Sequence, residues 1–175
     1  MTMQLIEAFK KRLEQHNGEI DVQQMDGSGE IVKMSSRFHP PATKEMIDEL
    51  KNHFSSELPP DYVAFLESCN GAVLYIHPQY GSENLLFSVG EILGRSWVND
   101  YPDKMEVAYI LDDRIVIDLE KWRNGDEHYL YLCESLSPLD DVRSLYCNFE
   151  TWLERFLISQ GNKYWYWRVG ASPYS

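Results

Sequence analysis

Apolar residues recur along this chain in two periods, and the switches between them mark out the elements. From Met3 to His16, Leu5, Phe9 and Leu13 repeat every four residues while Lys10, Lys11 and Glu14 occupy other faces. That spacing predicts an amphipathic helix, stopped by Asn17-Gly18. EIDVQQM and EIVKMSSRF then flank Asp26-Gly27-Ser28-Gly29, whose residues tolerate positive φ, so a hairpin is expected. Pro40-Pro41 breaks the chain, and Thr43 is a candidate N-cap for a helix running to Phe54.

The stretch LPPDYVAFLESCNG, residues 58–71, carries helix signals at both ends. Pro60 suits a first turn, where a missing N–H costs nothing, and Asp61 complements the positive helix end. Leu58, Tyr62, Phe65, Leu66 and Cys69 form one apolar stripe. Asn70-Gly71 ends the helix, with Gly71 free to take the left-handed conformation.

The period then changes. AVLYIH (72–77) and Leu85 to Phe87 read as strands, and Ser88 with Glu91 forms a candidate capping box near EILGRSW. EVAYIL (106–111) and RIVIDLE (114–120) are joined at Asp112-Asp113. In the second, Ile115, Ile117 and Leu119 alternate with Arg114, Asp118 and Glu120, with Val116 as the exception, which predicts one buried and one wet, charged face. HYLYLCE (128–134) follows Asn124-Gly125-Asp126 and is apolar enough for a central strand. Phe149, Trp152, Leu153, Phe156 and Leu157 then make a helical stripe between a cap at Asn148 and a stop at Gly161. KYWYWRV (163–169) reads either as a last strand or as a packed aromatic segment; extended, it places Trp165 and Trp167 on one face and Tyr164 and Tyr166 on the other. Helices first and last with strands between predict an α+β fold with a mixed, mostly antiparallel sheet and helices packed on one face. The opening helix and hairpin, 1–39, stand as an addition packed on a main domain, 40–175.

Composition narrows the class. In 175 residues, 43% are hydrophobic and 13% aromatic, enough for a real core and against a disordered chain. The net charge of −12 argues against nucleic acid and anionic membranes as partners. Two readings of that charge stand side by side: an ordinary soluble surface, or a field that steers a basic protein. Cys69, Cys133 and Cys147 are odd in number, widely spaced and without a CxxC, so buried thiols are expected rather than disulfides or zinc. No apolar run approaches membrane-spanning length, and the start lacks a signal-peptide core, so a cytoplasmic protein is expected.

Chemistry is sparse. His16, His39, His53, His77 and His128 fall at no metal-ligand spacing, and no G-x-S-x-G, Walker A or G-x-G-x-x-G motif occurs. No metal and no cofactor are expected. The main constellation is acidic. Asp112 and Asp113 share a turn, Asp118 and Glu120 fall on the expected wet face, and Asp126 and Glu127 sit in the following turn, with Asp140 and Asp141 later. Such a cluster serves either as a solvated face with turn chemistry or as a surface for a basic protein. A hydrolase would need a second carboxylate or a histidine converging on it, as His128 beside Glu127 would have to do.

LPPDYVAFLESCNG resembles the helix that marks the SUKH superfamily, named partly for a yeast cell-wall assembly regulator. Its members carry Leu-Pro-x-Asp-Tyr, apolar residues and then Asn-Gly; Leu58, Pro59, Asp61, Tyr62, Phe65, Leu66, Asn70 and Gly71 match. The order downstream is also similar: EVAYILDDRIVIDL, HYLYLCE, and NFETWLERFL as the last helix, so the likeness covers roughly Pro40 to Leu157. Two places differ, Gly71-Ala72 where members often have Gly-Gly, and Leu111-Asp112-Asp113-Arg114 where they often have a Gly-Asp-Gly type turn. The resemblance implies a binding domain rather than an enzyme. Bacterial members look like immunity proteins that occlude toxins, many of them nucleases, which implies a basic toxin domain as partner. Asp112, Asp113, Asp118, Glu120, Asp126 and Glu127 are the candidate partner-binding residues. The rival expectation is a regulatory or scaffold domain for endogenous proteins, as the yeast member implies.

Overall fold

The computed structural model describes residues 2–24 and 28–167. The expected helices form where their caps stand. The helix α1 spans Thr2–Gln15 and is followed by the hairpin strands β1 (Glu19–Gln23) and β2 (Ile31–Phe38), whose turn falls partly outside the described residues. The next helix, α2 (Lys44–Phe54), starts where the Thr43 hydroxyl accepts the Met46 N–H. Then come α3 (Pro60–Ser68), β3 (Ala72–Ile76), β4 (Asn84–Leu86) and α4 (Val89–Leu93). The capping box of α4 is complete, with Ser88 and Glu91 each accepting the other's backbone N–H. The order continues with β5 (Lys104–Ile110), β6 (Asp113–Asp118), α5 (Leu119–Arg123), β7 (Leu130–Glu134) and β8 (Arg143–Ser144). The last helix, α6 (Phe149–Ile158), is capped by Asn148, which accepts the Thr151 N–H at 2.9 Å.

Among the described residues the strands form one sheet in the order β1 to β8, each antiparallel to its sequence neighbours. The opening hairpin extends this same sheet through the β2–β3 pairing. The main core lies between the helices and one sheet face. It runs from Ile6, Phe9 and Leu13 of α1 through Tyr62, Phe65 and Leu66 of α3 to Phe149, Trp152 and Phe156 of α6. Tyr62 meets Phe149 edge-on at 4.9 Å, and Trp152 stacks on Phe156 at 5.4 Å. Truncating a fully buried ring such as Trp152 costs about 3–5 kcal/mol, a large part of a domain's net stability.

The expected wet face of β6 does not exist. All six of its residues are buried. Ile115 and Ile117 face the helices, while Val116 on the other face packs with Cys133 and Leu139 in a second, smaller cluster that Tyr101, Tyr131 and Val142 adjoin. Residues 135–142 fold back over that face, and Arg114 holds them by donating to the Glu134 and Ser137 carbonyls. Alternation reports that two faces differ in polarity; it is silent on whether a loop covers the polar one. The strand is also shorter than expected, because Leu119 and Glu120 open α5.

Residues 163–167 of the expected KYWYWRV segment take the packed aromatic form, not a strand, and its last two residues lie outside the described ones. Tyr164–Tyr166 is a turn of 3-10 helix, with the Trp165 ring 6.2 Å from those of Trp152 and Phe156. HYLYLCE is a strand only from Leu130, paired with β6 on one side and with the two residues of β8 on the other.

Candidate functional site

The six candidate carboxylates separate into three places. Asp112 is exposed in the β5–β6 turn, where it accepts the Tyr109 hydroxyl at 2.8 Å. Asp113, next to it, is 3% exposed and points beneath the C-terminal aromatics. Its carboxylate accepts Trp165 Nε1 at 2.8 Å and the Tyr166 hydroxyl at 3.1 Å, and pairs with Lys163 at 3.3 Å. Asp118 lies at the far end of β6, roughly 17 Å along a strand rising about 3.4 Å per residue. It too is 3% exposed, and it N-caps α5 by accepting the Lys121 N–H at 3.0 Å while pairing with Lys104. These two carboxylates are committed to the fold, which corrects their expected solvent-facing placement. Glu120, on α5 rather than on a strand, and Glu127 are exposed, and the carboxylate of neither has a hydrogen bond or ion pair among the described residues. Asp126 is half-buried and accepts the His128 N–H at 2.8 Å, bracing its own turn.

Asp126 and Glu127 line an open cleft of about 430 Å³ together with Pro60, Asp61, Trp122 and Tyr129. The site therefore joins part of the acidic candidate set to the LPPDY signal. Glu120 is exposed on α5, the element that also presents Trp122.

Asp61 organises the frame of this cleft. Pro59 stands at the N-cap of α3 and has no side-chain acceptor, so Asp61 Oδ1 takes the Tyr62 N–H at 2.9 Å. The same oxygen accepts the Tyr129 hydroxyl, and Oδ2 accepts the Glu150 N–H at 2.9 Å. The Tyr129 oxygen in turn accepts the Phe149 N–H at 3.3 Å. One carboxylate thereby serves the first turns of both α3 and α6, whose free N–H groups are the orphans of a helix start. Burial first, and then the Asp61 charge and hydrogen bond, push the Tyr129 phenol well above its ordinary pKa, so it stays a donor. The helix-end role of Asp61 was legible from its place after Pro60. Its service to α6, 89 residues on, had no local signal.

Asn70 works the same way. Its Oδ1 accepts the Val89 N–H at 2.8 Å, satisfying the start of α4, while its backbone oxygen lies 3.0 Å from His39 Nδ1. Gly71 has φ +90, and a Cβ there would lie 2.7 Å from Ser88 N and 2.8 Å from Leu86 O. The Asn-Gly pair is the point where α3 is locked against β4 and α4.

Sequence reading missed a buried charge group on the second sheet face. Glu106 is 3% exposed, bonds to Arg95 at 2.7 Å and lies 3.9 Å from Arg114, itself 3% exposed. Burial pushes the Glu106 carboxyl up, against the pull of the two arginines. The only hint was a charged residue opening an otherwise apolar run, EVAYIL. All three thiols are buried; burial raises Cys69 to about 12 and Cys147 to about 11, and raises Cys133 as well, so none is a ready nucleophile. Among the described residues no three His, Cys, Asp or Glu side chains come together as a metal-holding group. No helix among them is long and apolar enough to cross a membrane.

Residues 41–155 match the SMI1 / KNR4 family (SUKH-1). Two proteins of Bacillus subtilis (strain 168) are similar to this chain. YnaB is 32% identical over 129 residues, covering 73% of this chain and 85% of that protein. YobM is 31% identical over 139 residues, covering 73% of this chain and 71% of that protein. Both are named as uncharacterized proteins. The match spans α2 to α6, including the elements that frame the cleft.

Proposed function

Because the chain belongs to the SMI1 / KNR4 family (SUKH-1), we propose that it is an immunity-type protein that binds a basic toxin domain and occludes it. The observation that carries this reading is the cleft: Asp126 and Glu127 on its wall, with exposed Glu120 on the adjoining helix α5, on a frame held by the two-helix capping of Asp61. Occlusion needs no bond chemistry. It needs a surface that keeps its shape when the partner arrives, since ordering on binding subtracts from affinity. Caps that fix α3 and α6 against each other supply that rigidity, and half-buried Trp122 offers an aromatic contact of the kind interface centres favour.

The net charge of −12 supports a basic partner and fast association. Within the original acidic set, Asp113 and Asp118 are spent on internal contacts, so Glu120, Asp126 and Glu127 are the carboxylates assigned to steering. Asp112 lies at the other end of β6.

The test is a triple charge reversal, Glu120→Lys, Asp126→Lys and Glu127→Lys, assayed by stopped-flow association with a candidate basic toxin domain taken from a gene neighbouring this one. The association rate should fall at least about tenfold at low salt, and its salt dependence should flatten. In cells, co-expression of the unaltered chain should protect from that domain, and the reversed variant should protect less. An unchanged rate and salt slope would move the interface elsewhere. Failure of the unaltered chain to protect, with tight capture of an endogenous protein instead, would replace this reading by a regulatory scaffold.

A further inference from the structure

A second open cavity, also of about 430 Å³, lies at the other end of α6, walled by the ends of β1 and β3, the loop leading into β4, and Gln160–Asn162. Its floor holds an anomaly. Asn84 shares its face of β4 with Leu86, which is in the core, and is itself only 7% exposed. Its Oδ1 is buried and finds no donor among the described residues. A leucine would fill that position, whereas a buried carbonyl without a donor costs about 1–3 kcal/mol. The amide oxygen is thus an acceptor kept at a cost, on a strand that does not need it.

The rim points to what would satisfy it. Glu83 is exposed, and its carboxylate has no hydrogen bond or ion pair among the described residues. Asp112 stands nearby on the Tyr109 hydroxyl, and the Tyr109 phenol feels both carboxylates. Tyr80 is 78% exposed, an aromatic ring held over water by a braced loop. The loop is closed by His77 N–H to the Gly81 carbonyl at 2.8 Å and by the reverse bond at 3.0 Å. His77 Nδ1 accepts the Gln79 and Tyr80 N–H groups at 3.0 and 3.2 Å, and its ring lies 4.7 Å from that of Tyr80. Among the described residues no lysine or arginine lines the cavity, and neighbouring Lys163 is tied to Asp113. Acceptors, an uncompensated carboxylate and a fixed aromatic face are together the complement of a guanidinium, whose planar fork of five donors also stacks on rings.

We propose that this cavity receives an arginine side chain of a partner protein, with its guanidinium donating to Asn84 Oδ1 and the Glu83 carboxylate and stacking on Tyr80. Asn84 turns its amide about the soft terminal torsion to meet the donor. The inference takes from the preceding reading only that the chain binds a protein. It adds a second, chemically defined anchor at a separate place on the surface.

The experiment is a 15N–1H NMR titration of the full chain with the blocked tripeptide acetyl-Gly-Arg-Gly-amide, and with its citrulline and lysine counterparts. The arginine peptide should give saturable shifts confined to the amides of residues 80–84, 111 and 160–162, with an affinity on the order of millimolar for so small a probe. Citrulline keeps the shape without the charge and should bind at least about tenfold more weakly, and lysine should also be weaker. Glu83→Gln is a surface change that leaves the fold intact and should weaken arginine binding about fivefold or more. Asn84→Leu should do the same while raising thermal stability, because the unpaired acceptor is gone. Absent shifts, equal binding of citrulline or lysine, or Glu83→Gln binding unchanged would each overturn the proposal. The triple reversal at Glu120, Asp126 and Glu127 should leave the arginine titration intact, so loss of toxin binding and loss of this site are read separately.

Discussion

Replacing Gly71 by alanine tests the junction on which α3, β4 and α4 meet. Two penalties combine there. The first is conformational: φ is +90, and an L-residue in that region costs about 1–2 kcal/mol. The second is contact. The new Cβ would sit 2.7 Å from Ser88 N, 2.8 Å from Leu86 O and 3.0 Å from Phe87 C, all backbone atoms that cannot rotate away. Ordinary contact begins near 3.4 Å, so the two chain segments must part by about 0.7 Å. That separation stretches the Asn70 Oδ1 to Val89 N–H bond, now 2.8 Å, and the His39 N–H to Gly71 carbonyl bond, now 3.0 Å. Losing one such bond costs about 1–3 kcal/mol. The sum is about 2–5 kcal/mol. Gly18 supplies the control, with φ +84 and nothing within 4 Å of its Cβ position, so Gly18→Ala carries the conformational penalty alone. With a urea slope of about 2 kcal/mol per M, Gly71→Ala should lower the unfolding midpoint by roughly 1–2.5 M and Gly18→Ala by roughly 0.5–1 M. Equal midpoints for the two variants would refute the argument, because the backbone contact would then contribute nothing.

Three other outcomes follow from named contacts. Asp61→Ala removes acceptors from the starts of α3 and α6 and from Tyr129, and should cost about 3 kcal/mol in urea unfolding, with Asp61→Asn falling between it and the wild type. Asp113→Asn breaks the ion pair with Lys163 and weakens the Trp165 bond; stability should drop by about 2 kcal/mol and tryptophan emission should shift to the red as the aromatic segment loosens. Stability should also fall in alkali. Unfolded thiols ionise near their ordinary pKa of about 9, whereas folded Cys69 holds its proton to about 12 and Cys147 to about 11, so the unfolded state binds fewer protons in that window. The contribution is complete below about pH 9 and is lost between there and about pH 11–12, and Cys147→Ala should flatten the decline in midpoint across that range.

Local chemistry was readable because it acts over a few residues. Thr43, Ser88 with Glu91, and Asn148 each cap the helix that begins beside them, since an N-cap needs only the N–H groups of the next turn. The stripe from Phe149 to Leu157 and the buried alternation of Ile115 and Ile117 were equally plain. What could not be read was the destination of polar groups whose partners lie far along the chain. Asp61 reaches α6, Asn70 reaches α4, Asp113 reaches the C-terminal aromatics, and Asp118 turns from a presumed solvent-facing residue into a buried cap.

The candidate site divides along the same line. Its acidic composition and the LPPDY helix were legible, and so was a likeness to a family of binding domains. That Asp126 and Glu127 share a cleft with Asp61, while Asp112 stands at the opposite end of β6, depended on how the strands register and how α6 docks. The covered face of β6 has the same origin, because the donors that hold residues 135–142 over it belong to Arg114, more than twenty residues earlier, which bonds the Glu134 and Ser137 carbonyls. Periodicity and capping set which residues face inward and where each helix starts. Which charges remain free for a partner was decided in three dimensions, because a carboxylate shows nothing of its future donor until the chain has brought the two together.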